Sequence, residues 1–274
     1  MNTPYGSQTI CLGLDDENFT SRDFQLLSRD AGIADAVTAI FGKVNDSATQ
    51  RGAMLELALG RANDLRAQGE EVFFLVLNHI NLYEDLMARL KAISKKDAGI
   101  TTIYFGGETA GAEPKPLVDL DVVITFDFGR AKRALYPAVD PINSRSRLLQ
   151  EGKVSKAHQE LAAGARRLLR CHQDLQPIIE TRGLDQLPKD KDRKIVERAS
   201  RLDRFLTQPF HWTEPWTNMP GVHVPLEETL AGCRAILAGD CDDMAEEAFY
   251  FVGTLADARE KTKAGNTSGD QRKS

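Results

Sequence analysis

The sequence lacks paired cysteines, long apolar runs and any excess of basic residues. Its cysteines, Cys11, Cys171, Cys233 and Cys241, have no C-x-x-C spacing, which is typical of free thiols in a reducing compartment. No apolar run is long enough to span a bilayer, and no basic and apolar leader opens the chain. A net charge of -5 disfavours a nucleic-acid binder. We therefore expect a cytoplasmic or organelle-matrix protein without membrane insertion.

Motifs that bind metals or phosphates are also missing. Cys233 and Cys241 lie near three aspartates, which makes a metal site the alternative to free thiols, but the histidines have no ligand spacing. A P-loop, GxxxxGK[ST], cradles phosphates with backbone N–H groups. The two Gly-Lys pairs begin at Gly42 and Gly152, and neither has a glycine five positions earlier. We expect no resident metal and no phosphate cradle of this type.

The first half of the chain alternates strand and helix patterns. Apolar runs predict strands around residues 10–12, 37–41, 72–77, 100–105 and 122–126. A helix is predicted from Ser47 to the glycine at position 69, with Leu55, Leu59 and Ala62 on one face. Because helices separate the strands, crossover connections predict a parallel sheet covered on both faces.

The second half has helical patterns and almost no strand alternation. Leu161, Leu168, Leu169 and Leu175 recur at helical spacing, and the last dozen residues are polar and contain glycine. Such a polar terminus is typical of disorder. We therefore predict an α/β domain over residues 1–150, an α-helical domain over 151–262 and a disordered tail over 263–274.

Several segments resemble one protein family. The segment LYPAVDPINSRSRLL, which begins at Leu135, resembles the YPAVDPL and S-x-S-R pattern of the β subunit of the F-type (rotary, proton-coupled) ATP synthase. FLTQPF, VPLEETLAGCRAILAGD and EEAFYFVG resemble later segments of that family. The resemblance is most specific over residues 100–258. It implies the C-terminal portion of the β subunit: a partial P-loop NTPase (RecA-like) parallel sheet, then an α-helical C-terminal domain.

The resemblance also implies that catalytic groups are altered. EEVFFLVLNHIN stands where the family has V-L-L-F-I-D-N-I-F-R, so Leu77 takes the place of the magnesium-associated aspartate and Asn81 that of an arginine. Asp16 takes the place of the water-activating glutamate, and a shift of one residue would put Glu17 there instead. The family's P-loop would precede the first residue. Since several such groups are lost together, we expect no catalysis.

The family's adenine pocket maps onto four residues: Tyr136, Phe210, Thr213 and Trp216. Three of them are aromatic, so weak ATP or ADP binding by stacking is one interpretation. The other, which we favour, is that they are packing residues between two domains. The segment 185–191 stands where the family has its acidic, rotor-contacting motif, and its mixed charges favour an ordinary solvated surface.

Three functional hypotheses follow from the resemblance. The first is a non-catalytic pseudo-subunit that binds α- or β-type subunits of a rotary ATPase, or itself, in assembly or regulation. The second is a component that takes part in proton-coupled ATP synthesis or hydrolysis with a P-loop supplied by another chain. The third is the product of a decayed gene. Because the P-loop strand would be missing, we also expect an unpaired sheet edge beside the strand of Ile10 or of Val72.

Overall fold

The computed structural model describes most of the chain. The described residues are 7–13, 25–26, 28–29, 32–43, 45–78, 100–107, 120–150, 153–183, 190–209, 214 and 218–270.

Strands come first along the chain and helices dominate its second half. The strands are β1 (Gln8–Gly13), β2 (Val37–Phe41), β3 (Val72–Asn78), β4 (Ile100–Gly107), β5 (Val122–Phe126) and β6 (Arg145–Ser146). The α-helices are α1 (Ala48–Ala67), α2 (Phe128–Lys132), α3 (Arg147–Gln150), α4 (Lys156–Arg182), α5 (Asp190–Phe205), α6 (Leu226–Ala238) and α7 (Leu255–Asp270). Two 3₁₀ helices, Ala34–Ala36 and Glu246–Phe249, lie before β2 and before α7.

The six strands form one sheet in the order β2-β1-β3-β4-β5-β6. The first five are mutually parallel, and β6 pairs antiparallel with β5. The predicted α/β fold with a following helical part is confirmed. The five predicted strands form the predicted parallel sheet. The sequence did not predict β6, a two-residue strand that follows the YPAVDP turn and carries no strand pattern of its own.

The unpaired edge was predicted in the wrong place. β1 pairs with β2 on one side and β3 on the other, and β3 pairs with β1 and β4. The strands of Ile10 and Val72 are therefore interior strands. Among the described residues, the edges of the sheet are β2 and β6. Each of these interior strands pairs with a neighbour on both sides, so its backbone groups are hydrogen-bonded within the sheet.

The core of the sheet lies between the strands and α1. Ser47 caps α1, and its hydroxyl and the Gln50 side chain form a reciprocal capping box. Leu55, Ala58, Ala62 and Leu65 of this helix are buried, in one cluster with residues of β1, β3 and β5. The predicted start of the helix and its buried face are both confirmed.

A buried carboxylate just before β5 bonds to β4 and to the first residue of α3. Asp121 Oδ2 accepts hydrogen bonds from the backbone N–H and the hydroxyl of Thr102, each 2.8 Å long. Its Oδ1 forms an ion pair with Arg147, whose backbone N–H also donates to the Asp121 carbonyl at 2.6 Å. The Asp121 side chain is 3% exposed, so each of these partners compensates for its desolvation.

We expect Asp121→Asn to lower the unfolding free energy of the α/β part by about 3 kcal/mol. The amide removes the ion pair with Arg147 and places an NH₂ group where a buried carboxylate oxygen accepts from Thr102 or Arg147. Scanning calorimetry of the full chain measures the loss. The control is Asp64→Asn, which changes an exposed carboxylate on α1 and should cost less than about 0.5 kcal/mol. Equal effects would show that the Asp121 contacts contribute little.

The chain divides into two compact units. The α/β unit comprises Met1–Phe128 and Val139–Glu151, and the helical unit comprises Gly129–Ala138 and Gly152–Ser274. The segment Gly129–Ala138, which precedes the predicted boundary between residues 150 and 151, belongs to the helical unit. Arg130 explains this assignment, because it is buried and forms an ion pair with Asp203 of α5.

Arginines of α5 hold the turn that follows α6. Arg198 donates to both carboxylate oxygens of Asp242, from Nε at 2.8 Å and from Nη2 at 2.6 Å. These hydrogen bonds raise the pKa of Arg198 and lower the pKa of Asp242. Arg201 donates to the carbonyl oxygens of Asp242 and Met244. Gly239 ends α6 with φ +91, a conformation that a side chain would strain.

The end of the chain differs from the predicted tail. Helix α7, Leu255–Asp270, continues through much of the stretch 263–274 for which disorder was predicted. Extending an existing helix adds one hydrogen bond for each residue fixed, so a polar sequence can follow a packed first turn. Across the described residues, none of the helices combines the length and apolarity needed to cross a bilayer.

Candidate functional site

The carboxyl edge of the parallel strands is the place to look for a site, because ligands of open α/β sheets bind there. One row of cross-strand neighbours runs across this edge from β2 to β5: Phe41, Gly13, Leu77, Phe105 and Ile124. Neighbours in a parallel register share a face of the sheet. No member of this row carries a charge. We call it the carboxyl-edge row.

Aromatic rings fill the space around the carboxyl-edge row. A Cβ on Gly13 would lie 2.5 Å from Cδ1 of Phe41, so the Phe41 ring occupies the place of a side chain there. The rings of Phe105 and Phe126 stack with centroids 6.2 Å apart. Leu77 lies between Gly13 and Phe105 in this register. The side chains of the carboxyl-edge row are therefore hydrocarbon and supply no oxygen that could bind a metal ion.

Tyr136 has well-defined neighbours in the helical unit. Its hydroxyl donates to the Ala131 carbonyl at 3.2 Å, and its own carbonyl accepts from the Gln208 N–H at 3.0 Å. Tyr250 donates its hydroxyl to the Ala134 carbonyl at 2.8 Å, and burial raises its pKa. The ring of Phe251 lies 4.6 Å from that of Tyr250. Tyr136 is thus fixed by internal hydrogen bonds.

Comparison with known proteins finds ATP synthase β subunits similar to this chain. No protein-family model matches the chain. The ATP synthase subunit beta 2 of Burkholderia thailandensis is 31% identical over 299 residues, covering 98% of this chain and 58% of that protein. The same subunit of Burkholderia pseudomallei strain K96243 is 31% identical, covering 98% and 55%. The chain is homologous to the ATP synthase β subunit. The resemblance predicted from the YPAVDP segment is confirmed.

The chain spans just over half the length of the ATP synthase β subunits that it matches. The observed fold, a mostly parallel sheet followed by helices, is consistent with the RecA-like α/β fold and helical part predicted from that resemblance.

Most residues that the β-subunit resemblance marks as site residues lie outside the described residues. These are Asp16, Asn81, Phe210, Thr213 and Trp216, and most of the segment 185–191 lies outside the described residues as well. Of the predicted set, Leu77 and Tyr136 are described. Leu77 belongs to the α/β unit and Tyr136 to the helical unit. The assignment of an adenine pocket stays a prediction.

The sequence did not reveal the residues that surround Leu77 and Tyr136. Gly13, Phe41 and Phe105 join Leu77 only through the strand register, which a sequence pattern does not specify. Tyr250 approaches the segment of Tyr136 from 116 residues further along the chain. The EEAFYFVG segment, which contains Tyr250, was noted for its resemblance to the family. Its adjacent aromatic residues Tyr250 and Phe251 were the one sequence signal that could have indicated this contact.

The buried titratable groups offer no reactive centre in the described residues. Burial raises the pKa of Cys11 to about 12 and that of Cys233 to about 11, so both are protonated thiols at neutral pH. All four cysteines are free. Desolvation lowers the pKa of His172, and the nearby Asp203 partly opposes this. Within the described ranges, no group of three or more His, Cys, Asp and Glu side chains is arranged to hold a metal ion.

Proposed function

We propose that this chain is a non-catalytic β-type subunit, a pseudoenzyme that acts by binding in or on a rotary ATPase complex. The observation that supports this is the carboxyl-edge row. A magnesium-nucleotide site needs carboxylate or hydroxyl oxygens near the metal and its water shell. Leu77 has Gly13 and Phe105 as its cross-strand neighbours, and all three lack such groups.

We expect the purified chain to show no magnesium-dependent ATP hydrolysis above background. The 274-residue sequence contains no GxxxxGK[ST], and β3, the strand that would present the metal-associated acid, carries Leu77 at that position. Phosphate release at millimolar ATP measures this. Turnover that disappears in Asp16→Ala would contradict the proposal, because it would show that the carboxylate of Asp16 takes part in catalysis.

Leu77→Asp tests whether the lost acid alone accounts for inactivity. We expect no activity, because one carboxylate supplies neither the lysine nor the hydroxyl of a P-loop. Leu77→Asn is the matched control for polarity. Both should lower Tm, and Leu77→Asp should lower it more above pH 6, since its charge is desolvated among apolar neighbours. Magnesium that restores the Tm of Leu77→Asp, but not of Leu77→Asn, would reveal a metal site that we do not propose.

The partners in this proposal are α- or β-type subunits of a rotary ATPase. Homology to the β subunit supports the general class, because closely related subunits share packing surfaces. Co-purification with separately expressed ATP synthase α and β subunits tests it. A pseudo-subunit should enter the complex and lower its ATP hydrolysis. A chain that enters and raises hydrolysis would favour the alternative of a working component completed by another chain.

The sheet topology disfavours that alternative. β1, β3, β4 and β5 are each paired on both sides, and Asp121 and Thr102 link β4 to β5 with buried hydrogen bonds. A P-loop strand from another chain would have to separate such a pair or join at an edge.

The third alternative is a decayed gene, and it predicts a chain that does not fold cooperatively. Peripheral association with a membrane would follow only from assembly on the rotary complex.

A further inference from the structure

The outer face of α4 carries a group of arginines. Arg167 and Arg170 are three positions apart and Arg166 and Arg170 four, so they are neighbours on the helix surface. Arg167 and Arg170 are exposed, and Arg166 is partly exposed. The other side of α4 is packed, because a Cβ on Gly164 would lie 3.5 Å from Leu237 of α6. The arginines therefore face solvent on a helix that is held in place by packing.

A second basic stretch lies beside this part of α4. Residues 129–138, which belong to the same helical unit, contain three basic residues and no acidic one. Arg133 in this stretch is 60% exposed, and its charge contributes to lowering the pKa of His172, so it lies within electrostatic range of α4. Residues 161–173 of α4 also contain no acidic residue. We call the four arginines of these two stretches the arginine patch: Arg133, Arg166, Arg167 and Arg170.

The carboxylates that act on this part of α4, Asp203 and Glu246, already have arginine partners. Asp203 forms ion pairs with two arginines, the buried Arg130 and the exposed Arg133, the second at 3.7 Å. Glu246 lies 3.7 Å from Arg204. One carboxylate shared between two arginines leaves a net positive charge. The arginine patch is therefore a basic surface on a chain whose net charge is -5.

The arginines of α4 also disfavour one another. Desolvation and the neighbouring charge of Arg170 both lower the pKa of Arg166. Like charges four positions apart destabilise a helix, so this arrangement is unfavourable for the isolated chain. An anionic partner would reverse the sign of that interaction. The guanidinium groups suit such a partner, because their planar fork binds a carboxylate through two parallel hydrogen bonds.

We propose that the arginine patch binds an acidic α-helix of a partner protein. Carboxylates three or four positions apart on such a helix match the spacing of Arg167 and Arg170. A membrane surface fits less well, since the exposed neighbours of the arginines on this face are Ala163 and Gln173, and neither has a large apolar side chain. A nucleic acid is disfavoured by the net charge of the whole chain.

A model peptide tests this surface on the full chain. The probe is a fluorescein-labelled, alanine-based peptide with glutamates four positions apart, and its control has glutamine in place of each glutamate. We expect fluorescence anisotropy to give a Kd of about 10 to 500 μM at low salt, and weaker binding as salt screens the exposed charges. No binding, or equal binding of the glutamine peptide, would overturn the proposal. Because no other subunit is present, this outcome is independent of the proposed role in a rotary ATPase.

Two matched double variants locate the binding surface. Arg167→Gln/Arg170→Gln should raise the Kd of the glutamate peptide roughly five- to thirtyfold, because two exposed ion pairs are lost. Lys194→Gln/Arg234→Gln is the control, since it makes the same change in net charge at exposed positions of α5 and α6. It should change the Kd less than about twofold. Equal effects of the two double variants would show that the peptide senses only the overall charge, and would overturn the assignment to α4.

Vesicles distinguish a protein partner from a membrane surface. Sedimentation with vesicles of phosphatidylserine and phosphatidylcholine should show no binding that depends on Arg167 and Arg170. Vesicle binding that is lost in Arg167→Gln/Arg170→Gln, without binding of the glutamate peptide, would overturn the proposal in favour of a lipid surface. Circular dichroism should give a native spectrum for each variant, because the changed side chains are exposed.

Discussion

Removal of the Asp203 charge should destabilise the helical unit by about 3 to 5 kcal/mol. Asp203 forms an ion pair with Arg130, and their side chains are only 12% and 7% exposed. Arg130 lies in the segment Gly129–Ala138, which belongs to the helical unit although it comes before the main helices in sequence. Asp203→Asn leaves the guanidinium buried without its carboxylate. The ion pair therefore links this early segment to α5.

Urea denaturation followed by tryptophan fluorescence measures this loss, because both tryptophans, Trp212 and Trp216, fall in the sequence range of the helical unit. Arg133→Gln is the matched control. Arg133 lies 3.7 Å from the other oxygen of Asp203, and its side chain is 60% exposed, so its removal should cost less than about 1 kcal/mol.

The double variant Arg130→Met/Asp203→Leu distinguishes the effect of the ion pair from the effect of burying two side chains at this point. An apolar pair of similar volume often replaces a buried ion pair without loss, so the double variant should recover most of the stability lost by Asp203→Asn. If Asp203→Asn and Arg133→Gln cost the same, the buried ion pair does not stabilise this unit. If the double variant is the least stable of all, packing at this point depends on the charges themselves.

Gly232→Ala should destabilise the same unit by about 2 to 3 kcal/mol. Gly232 lies in α6, where alanine is normally the better helix former by about 1 kcal/mol. A Cβ at this position would overlap the ring of Phe205 of α5. That ring is 5% exposed and packs edge-on against Phe249, with centroids 6.5 Å apart. It cannot move without disturbing the core, so the clash outweighs the helix propensity.

Gly60→Ala provides the opposite case for comparison. Gly60 lies in α1, and a Cβ there would meet nothing within 4 Å, so this change should stabilise by up to about 1 kcal/mol. Thermal denaturation of both variants gives the contrast. Phe205→Leu should cost less in the Gly232→Ala background than alone, because the smaller side chain relieves the overlap. Additive effects would show that the ring relaxes by another route.

The sequence predicted local structure well and long-range contacts poorly. The strand at 37–41 and the helix start at Ser47 were predicted correctly, because a strand pattern and a serine cap depend only on residues that are close in sequence. Arg130 and Asp203 lie 73 positions apart, with no periodicity that relates them. The β6 strand, only two residues long, exists because β5 offers it a partner. Tertiary context decided both.

The same limit applies to the candidate site. The replacement of an acid by Leu77 was read from the resemblance, one residue at a time. The apolar carboxyl-edge row became visible only from the register, because Phe41, Gly13 and Phe105 come from three different strands. Sheet order is a global property, and each one-residue shift would change the neighbours of Leu77.

The burial of the thiols has a practical consequence for following the molecule in solution. Cys11 lies in the α/β unit and Cys233 in the helical unit, and each is almost completely enclosed. A thiol reagent reaches such a group only when the surrounding structure opens, whereas Cys171 is partly accessible without opening. The α/β unit thus has one buried thiol, Cys11, and the helical unit has two, Cys233 and Cys241. Their labelling rates, measured peptide by peptide with mass spectrometry, would report the opening of each unit separately in the unmodified protein.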